Sequence, residues 1–168
     1  MGEAPFWGPF WHHQALTADE RRLFQHAREV LYAALRRLGQ SPANFSLIHA
    51  DLHPGNVLVD GRQLTVIDFD DCGFGWHLYD IAVALKAHQT APRFPQIQAA
   101  FLAGYRRHRD LTEQAEALIP MFLLIRALAE IGWLHQRPEI AGPENFNIWK
   151  ADICARCVAL APLEAMIP

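Results

Sequence analysis

Residues 46–75 read SLIHADLHPGNVLVDGRQLTVIDFDDCGFG and place acidic residues, histidines and glycines between short apolar runs. The runs Leu47-Ile48 and 57–59 predict strands on either side of a polar loop. Asp60-Gly61 is a typical two-residue turn signal between alternating strands, so a hairpin is predicted there. We interpret this stretch as the active site around which the rest of the chain folds.

Three oxygen-bearing side chains stand at the ends of these runs. Asp51 and Asn56 belong to the pattern His-x-Asp-x-x-x-x-Asn that starts at His49, and Asp68 closes the next apolar strand. We expect the three side chains to face one another across a small sheet. Phosphoryl transfer to a hydroxyl needs a carboxylate that orients the hydroxyl proton, and oxygen ligands that hold Mg²⁺ on the nucleotide phosphates. Since Mg²⁺ keeps several waters, one Asn and one Asp are sufficient protein ligands.

The segments HADLHPGNVL (49–58) and IDFDDCGFGWHLYD (67–80) resemble the catalytic and metal-binding segments of the aminoglycoside phosphotransferase and choline kinase superfamily, relatives of the protein kinases. They are most similar to the bacterial branch that includes homoserine kinases and stress-response serine/threonine kinases. The resemblance is close over 46–85 and looser in the helical flanks. It implies an α+β, mostly α fold, namely the helical C-terminal lobe of a protein-kinase-like fold with a small β-hairpin layer that carries the catalytic and metal loops.

The resemblance also implies an activity and a role for each matched residue. The activity is ATP- and Mg²⁺-dependent transfer of the γ-phosphoryl group to a hydroxyl of a small molecule or of a protein serine or threonine. Asp51 would orient the acceptor hydroxyl or accept its proton, and Asn56 and Asp68 would hold magnesium. His49 and Asp80 would brace the loop through hydrogen bonds without touching substrate.

His53 and Asp70 have two interpretations each. His53 could contact substrate or phosphate, or it could stabilise the loop through a hydrogen bond. Asp70, together with Asp71, could attract a cationic substrate such as an amino alcohol, or could be a solvated loop charge. The sequence does not decide between these roles.

His49, Asp51 and His53 suggest a different chemistry as well, because His and Asp are common zinc ligands. A metal-dependent hydrolase built on these three residues would leave Asn56 and residues 67–71 without a function. We therefore prefer the magnesium site. A third hypothesis is a non-catalytic, degenerate kinase-like module that serves only to bind a partner.

Composition limits the classes of partner. The chain has 168 residues, a formal net charge of −3 and 51% hydrophobic residues, so one globular domain over 1–168 is expected, with no nucleic-acid partner. The most apolar stretch, 118–134, is interrupted by charged residues and predicts a core helix and no membrane contact. The three cysteines, with no signal peptide, favour a cytoplasmic protein, and Cys154 and Cys157 are interpreted as buried thiols.

Helix signals surround the central stretch. Thr17 with Glu20 forms a capping-box pattern, and the apolar periodicity that follows predicts a helix that ends at Gly39. The aromatic residues of segment 1–16 are expected to dock on the helical body, although they could instead line a substrate cleft or contact another subunit. Further helices are predicted at 76–85, 96–109, 112–136 and 144–166, the third interrupted at Pro120.

Two parts of a complete phosphotransferase site do not occur before His49. No glycine-rich strand–turn–strand precedes it, and the chain's two lysines, Lys86 and Lys150, both follow it. These are the parts that cover and neutralise the nucleotide phosphates. We therefore expect the amino-terminal nucleotide-binding lobe to be absent from this chain: a separate chain or domain supplies it, or it belongs to a longer version of the protein, or it is lost and the chain no longer catalyses. An exposed apolar cleft face should favour a homo-oligomer.

Overall fold

The computed structural model describes residues 8–137, 139–140 and 143–160. The chain is α+β and mostly helical, as predicted. The described residues fall into two compact units, one formed by the residues up to Gly39 and from Leu124 onward, the other by residues 40–123. A single domain over 1–168 stays a prediction.

The elements are helices α1 (Ala18–Leu38), α2 (His77–Lys86), α3 (Phe94–Tyr105), α4 (Glu113–Glu116), α5 (Ile119–His135) and α6 (Pro143–Val158), and strands β1 (Phe45–Ile48), β2 (Val57–Asp60), β3 (Gln63–Val66) and β4 (Gly73–Trp76).

Helix α1 begins and ends where its sequence signals place it. The Thr17 side chain accepts a hydrogen bond from the Glu20 amide, and the Glu20 side chain accepts one from the Thr17 amide, so the predicted capping box is confirmed. The helix stops before Gly39, whose φ of 64° is open to glycine without strain. One face of α1 is buried, through Phe24, Ala27, Leu31, Ala34 and Leu35.

The amino-terminal segment docks on α1 over the residues that the structure describes there, 8–16. Phe10 is buried, with its ring centroid 6.1 Å from that of Phe24. Trp11 is also buried: Arg28 stacks over its ring at 4.9 Å, and Arg21 donates a hydrogen bond to its carbonyl oxygen. The predicted docking is therefore confirmed for this part, while Pro5, Phe6 and Trp7 lie outside the described residues.

A buried polar cluster lies in the same unit. The Lys150 ammonium donates to the Ala15 carbonyl at 3.1 Å and to Glu20 at 2.9 Å. The His13 ring stacks on Phe146 with centroids 4.1 Å apart, and its Nδ1 accepts a hydrogen bond from the Ala15 amide. Burial lowers the pKa of His13 below its ordinary value of 6.5, and the nearby His135 and Lys150 lower this pKa further.

Protonation of His13 should destabilise this unit. Because the pKa of His13 is lower in the folded state, the unfolded chain binds the proton more readily, and the free energy of unfolding should fall as the pH drops below 6.5. His13→Phe, which keeps an aromatic ring to stack on Phe146 but cannot be protonated, should flatten this part of the pH dependence in chemical denaturation. The exposed His26→Gln is the control and should keep the wild-type slope; an unchanged slope in His13→Phe would contradict the assignment.

The last helices confirm the predicted interruption and correct the predicted end of the final helix. The predicted helix 112–136 is broken at 117–118, since α4 ends at Glu116 and α5 begins at Ile119 with Pro120 in its first turn, where no amide donor is needed. The helix predicted over 144–166 ends at Val158, where residues 159–160 turn back onto α6 carbonyls. Residues 161–166 of that prediction lie outside the described residues.

The stretch Glu113–His135 is long and apolar enough to cross a membrane by length and composition alone, with a mean hydropathy of 1.8 in its most apolar window. Inside the protein, 67% of that window is buried, which a core helix also shows.

Cys157 is buried, and this burial raises the pKa of its thiol to about 12. Cys154 is half-buried, and the described cysteines are free thiols.

The strands of the second unit form two separate ribbons instead of one sheet. Strand β2 pairs with β3, and β1 pairs with β4, both antiparallel. The predicted turn is shifted by one residue: Asp60 pairs with Gln63, and the two loop residues are Gly61 and Arg62. Gly61 has a φ of 57°, which the tight hairpin turn requires of its first loop residue.

Strand β4 has no counterpart among the predictions. Trp76, which was expected in a helix, pairs with Phe45 instead, and α2 begins one residue later, at His77. A Cβ at position 75 would collide with the Ile48 side chain, so glycine there permits the close approach of the two strands. Helix α3 begins before its predicted start, because Pro95 is tolerated in the first turn, and ends earlier, at Tyr105.

Candidate active site

The Asp80 carboxylate joins α2 to the loop that follows β1. Its Oδ2 accepts a hydrogen bond from the His49 amide at 2.9 Å, and its Oδ1 accepts one from the Ala50 amide at 2.8 Å. Ala50 has a φ of 66°, in the left-handed region that a residue with a Cβ rarely adopts. The two charge-assisted bonds offset this strain and turn the chain so that Asp51 leaves the strand direction.

Ala50→Gly tests the strain directly. Relief of the left-handed conformation is worth about 1–2 kcal/mol and glycine costs about 0.5–1 kcal/mol in the unfolded chain, so the free energy of unfolding should rise by roughly 0.5–1 kcal/mol. Ala50→Val should lower it, because a branched Cβ is disfavoured further at positive φ. Denaturant titration of both variants measures the effect, and a loss of stability in Ala50→Gly would show that position 50 is not strained.

His49 is buried and both of its ring nitrogens are engaged. Its Nε2 lies 2.9 Å from the Ile67 carbonyl oxygen, and its Nδ1 accepts the Asp51 amide at 3.3 Å. The donor at Nε2 and the acceptor at Nδ1 describe the neutral ring. The ring also packs against Phe69, with centroids 4.7 Å apart. His49 thus links the two segments that carry Asp51 and Asp68, which is what a bracing residue would do.

The side chains of Asp51, His53 and Asn56 meet in the loop. The buried Asn56 donates through Nδ2 to the Asp51 carbonyl at 3.0 Å and to the Asp51 Oδ2 at 3.4 Å. His53 accepts the Gly55 amide at Nδ1 and presents Nε2 to the Asp51 Oδ2 at 3.5 Å. A Cβ at position 55 would lie only 2.8 Å from the His53 Cε1, so a larger residue there would force the His53 ring to shift.

Asp68 lies beside this loop through its neighbour Ile67. The Ile67 amide donates to the Asn56 carbonyl at 3.0 Å, and the Ile67 carbonyl oxygen contacts the His49 ring. Asp68 follows with a φ of 64°, a conformation that Asp tolerates better than most residues. Its side chain is exposed.

Asp70 occupies a different environment. It is exposed in the turn that the Cys72 amide closes onto the Phe69 carbonyl at 3.0 Å. This position fits the interpretation as a solvated loop charge, and it leaves a role in attracting a cationic substrate open.

The donor set suits a hard divalent cation. Since the Asn56 amide nitrogen is used in the bonds to Asp51, its oxygen is the atom that can ligate a metal, and Asp68 adds a carboxylate on the neighbouring segment. Among the described residues, no group of three or more His, Cys, Asp or Glu side chains is arranged to hold a metal. The residues therefore fit a magnesium site of few protein ligands and several waters better than a zinc site.

Several contributors to this site carry no sequence signal of their own. No residue type or motif at position 50 indicates the left-handed conformation of Ala50. The Ile67 carbonyl that contacts His49 is a backbone group, so its role does not depend on the residue type. His53 could have been assigned as a cap from the pattern His-Pro-Gly, because a side chain before Pro in a short turn commonly accepts the amide two residues later.

Comparison with known proteins places the chain in a family. The sequence profile of the phosphotransferase enzyme family matches residues 4–118. The amicoumacin kinase of Bacillus subtilis is 35% identical over 127 residues, which are 70% of this chain and 38% of that protein. The homoserine kinase of Pseudomonas aeruginosa is 33% identical over 144 residues, 76% of this chain and 46% of that protein.

Solved structures agree with these relatives. The structure of a microcompartment-associated aminopropanol kinase matches 99% of this chain and 52% of its own, with a TM-score of 0.79 and 34% identity. An amicoumacin kinase in complex with AMP-PNP, Ca²⁺ and Ami matches 88% of this chain and 48% of its own, with a TM-score of 0.72 and 26% identity. The chain thus spans about half the length of these proteins or less, and its kinase-like fold is confirmed. The chain belongs to the phosphotransferase enzyme family.

Proposed function

We propose that this chain is the catalytic half of an ATP-dependent phosphotransferase that transfers the γ-phosphoryl group to a hydroxyl. The observation that carries the proposal is the contact of the Asn56 amide with Asp51, on a loop whose backbone Asp80 and His49 hold in place. Asp51 orients the acceptor hydroxyl and accepts its proton. Asn56 and Asp68 hold the magnesium ion, which neutralises charge on the nucleotide phosphates when it is bound.

The acceptor that we propose is a small alcohol that carries an amine. Two of the similar proteins are named for such compounds, aminopropanol and homoserine. Two acids follow Asp68, the exposed Asp70 and the half-buried Asp71, and their charge would favour a cationic substrate by electrostatic attraction. His53, whose Nδ1 accepts the Gly55 amide and whose Nε2 lies 3.5 Å from the Asp51 Oδ2, is assigned to loop stabilisation in this proposal.

A second module completes the nucleotide site in this proposal. The similar proteins are about twice as long or longer, and no lysine or glycine-rich hairpin precedes His49 here. The two ribbons also expose apolar cross-strand pairs: Leu47 and Phe74 are 63% and 79% exposed, and Val59 and Leu64 are 69% and 66% exposed. A nucleotide-binding module with an apolar and basic face would cover these pairs and would balance the negative charge of Asp68, Asp70 and Asp71. The protein would work in the cytoplasm, where its thiols stay reduced.

The 168-residue chain alone should bind Mg-nucleotide weakly and turn over little, because orientation and charge neutralisation each supply several kcal/mol in this chemistry. A coupled ADP-release assay with aminopropanol and homoserine measures the turnover, with and without the unmatched half of the aminopropanol kinase added as a separate chain. The added half should raise turnover. Vigorous phosphorylation by the chain alone would refute the need for a second module.

Metal-dependent nucleotide binding separates this proposal from a non-catalytic binding module. Calorimetric titration of AMP-PNP with and without Mg²⁺ should give binding that requires the metal. If AMP-PNP binds equally well without metal, or not at all with the second half present, the catalytic assignment fails.

A further inference from the structure

A serine–histidine pair joins β1 to the start of α2. The Ser46 Oγ lies 2.7 Å from the His77 Nε2, and both residues are half-buried. The His77 amide also donates to the Asn44 carbonyl at 2.9 Å. The first residue of α2 is therefore tied to β1 through its backbone and through its side chain.

This pair lies one helical turn from the Asp80 carboxylate. His77 and Asp80 are three residues apart on α2 and therefore share a face of the helix. Along the partner segment, Ser46 is followed at three and four residues by His49 and Ala50, whose amides bind Asp80. The two segments thus meet at the Ser46–His77 contact and at the Asp80 carboxylate, in addition to the β1–β4 pairing that ends at Trp76.

The charged groups around His77 favour its neutral ring. Burial lowers the pKa of His77, and the Arg109 guanidinium lowers it further, whereas a hydrogen bond to the backbone at Ala43 and the Asp80 carboxylate act in the opposite direction. Tyr105 interacts with the same Arg109 and Asp80, and burial raises the pKa of its hydroxyl, which therefore stays protonated. A neutral ring can accept the Ser46 hydroxyl at Nε2.

We propose that Ser46 and His77 form a positioning pair for the catalytic loop. By fixing the first turn of α2 on β1, the pair aims the Asp80 carboxylate at the amides of His49 and Ala50 and so sets the direction in which Asp51 projects. The importance of this positioning for phosphoryl transfer rests on the proposed function, but the mechanical link itself does not. The pair would not touch substrate.

Native-state hydrogen exchange of the 168-residue chain tests the link. In Ser46→Ala and in His77→Ala, the amides of His49 and Ala50 should exchange about tenfold faster, as expected for one weakened hydrogen bond, while the amides of α3 keep their wild-type rates. His77→Gln retains an acceptor and should keep slow exchange at 49 and 50. His108→Ala, an exposed histidine of the same unit, is the control and should change neither set.

Two results would overturn the inference. Unchanged exchange at 49 and 50 in Ser46→Ala would show that Asp80 is aimed without the pair. An equal acceleration in α3 would show that the pair stabilises the whole unit and positions nothing. If His77→Ala does not fold, Ser46→Ala decides the question by itself. The readout needs neither nucleotide nor acceptor, so failure of the proposed function would be seen separately, in the calorimetric titration.

Discussion

Asp51→Asn is expected to lower turnover by roughly 10²- to 10⁴-fold in the protein completed by its nucleotide-binding half, the range typical for loss of a general base. The amide occupies the same space and can still accept the Asn56 Nδ2 hydrogen bond, so the loop geometry should persist. It cannot accept the proton of the acceptor hydroxyl. A coupled assay at saturating nucleotide and amino alcohol measures the loss in kcat.

Whether the substitution changes kcat or the Kd for Mg-nucleotide distinguishes a loss of catalysis from a loss of binding. The Kd for Mg-nucleotide should stay within a few-fold of wild type, because Asp51 does not ligate the metal in this account. Asp60→Asn, at the exposed end of β2, removes a carboxylate of the same kind and should retain full activity. A wild-type kcat in Asp51→Asn would leave the reaction without its proposed base.

Asp68→Ala is expected to weaken Mg-dependent nucleotide binding by on the order of a hundredfold, since each protein ligand of a hard cation contributes several kcal/mol. Asn56 would then be the one remaining protein ligand of the metal, beside water. Asp68 is exposed and its φ of 64° is one that alanine adopts less readily, so folding should be checked by circular dichroism.

Asp68→Asn serves as the second variant, because it keeps an oxygen ligand and tolerates the left-handed backbone. Its Mg-dependent affinity for AMP-PNP, measured by calorimetric titration, should lie between those of wild type and Asp68→Ala. Asp110→Ala, an exposed acid of the same unit, is the matched control. Unaltered metal-dependent affinity in Asp68→Ala would remove Asp68 from the metal site.

The sequence predicted the features that depend on neighbouring residues. The capping box at Thr17 and Glu20 and the hairpin after Asn56 are local patterns, and the structure follows both closely. The break before α5 followed from the geometry of Pro120 alone. The fold class was predicted from the family resemblance, which also named Asp51 and Asn56 as candidate site residues of the loop.

The features that were not predicted depend on residues distant in the chain. Strand β4 contains two glycines and too few apolar residues to show alternation, and it forms because β1 pairs with it across 25 or more residues. Ala50 adopts its left-handed backbone because Asp80, 30 residues later, binds its amide. The Ser46–His77 pair spans 31 residues in the same way.

The central claim is that Asn56 and Asp68 hold one divalent cation, shared with a nucleotide, beside the carboxylate of Asp51. Paramagnetic broadening by Mn²⁺ in the presence of AMP-PNP tests it most directly, because the effect falls steeply with distance from the ion. Amide signals at 51, 56 and 68 should broaden first in a titration of the labelled chain, and signals of α3 should stay sharp. Broadening that begins elsewhere, or that spares position 68, would contradict the magnesium site and the phosphotransferase mechanism built on it.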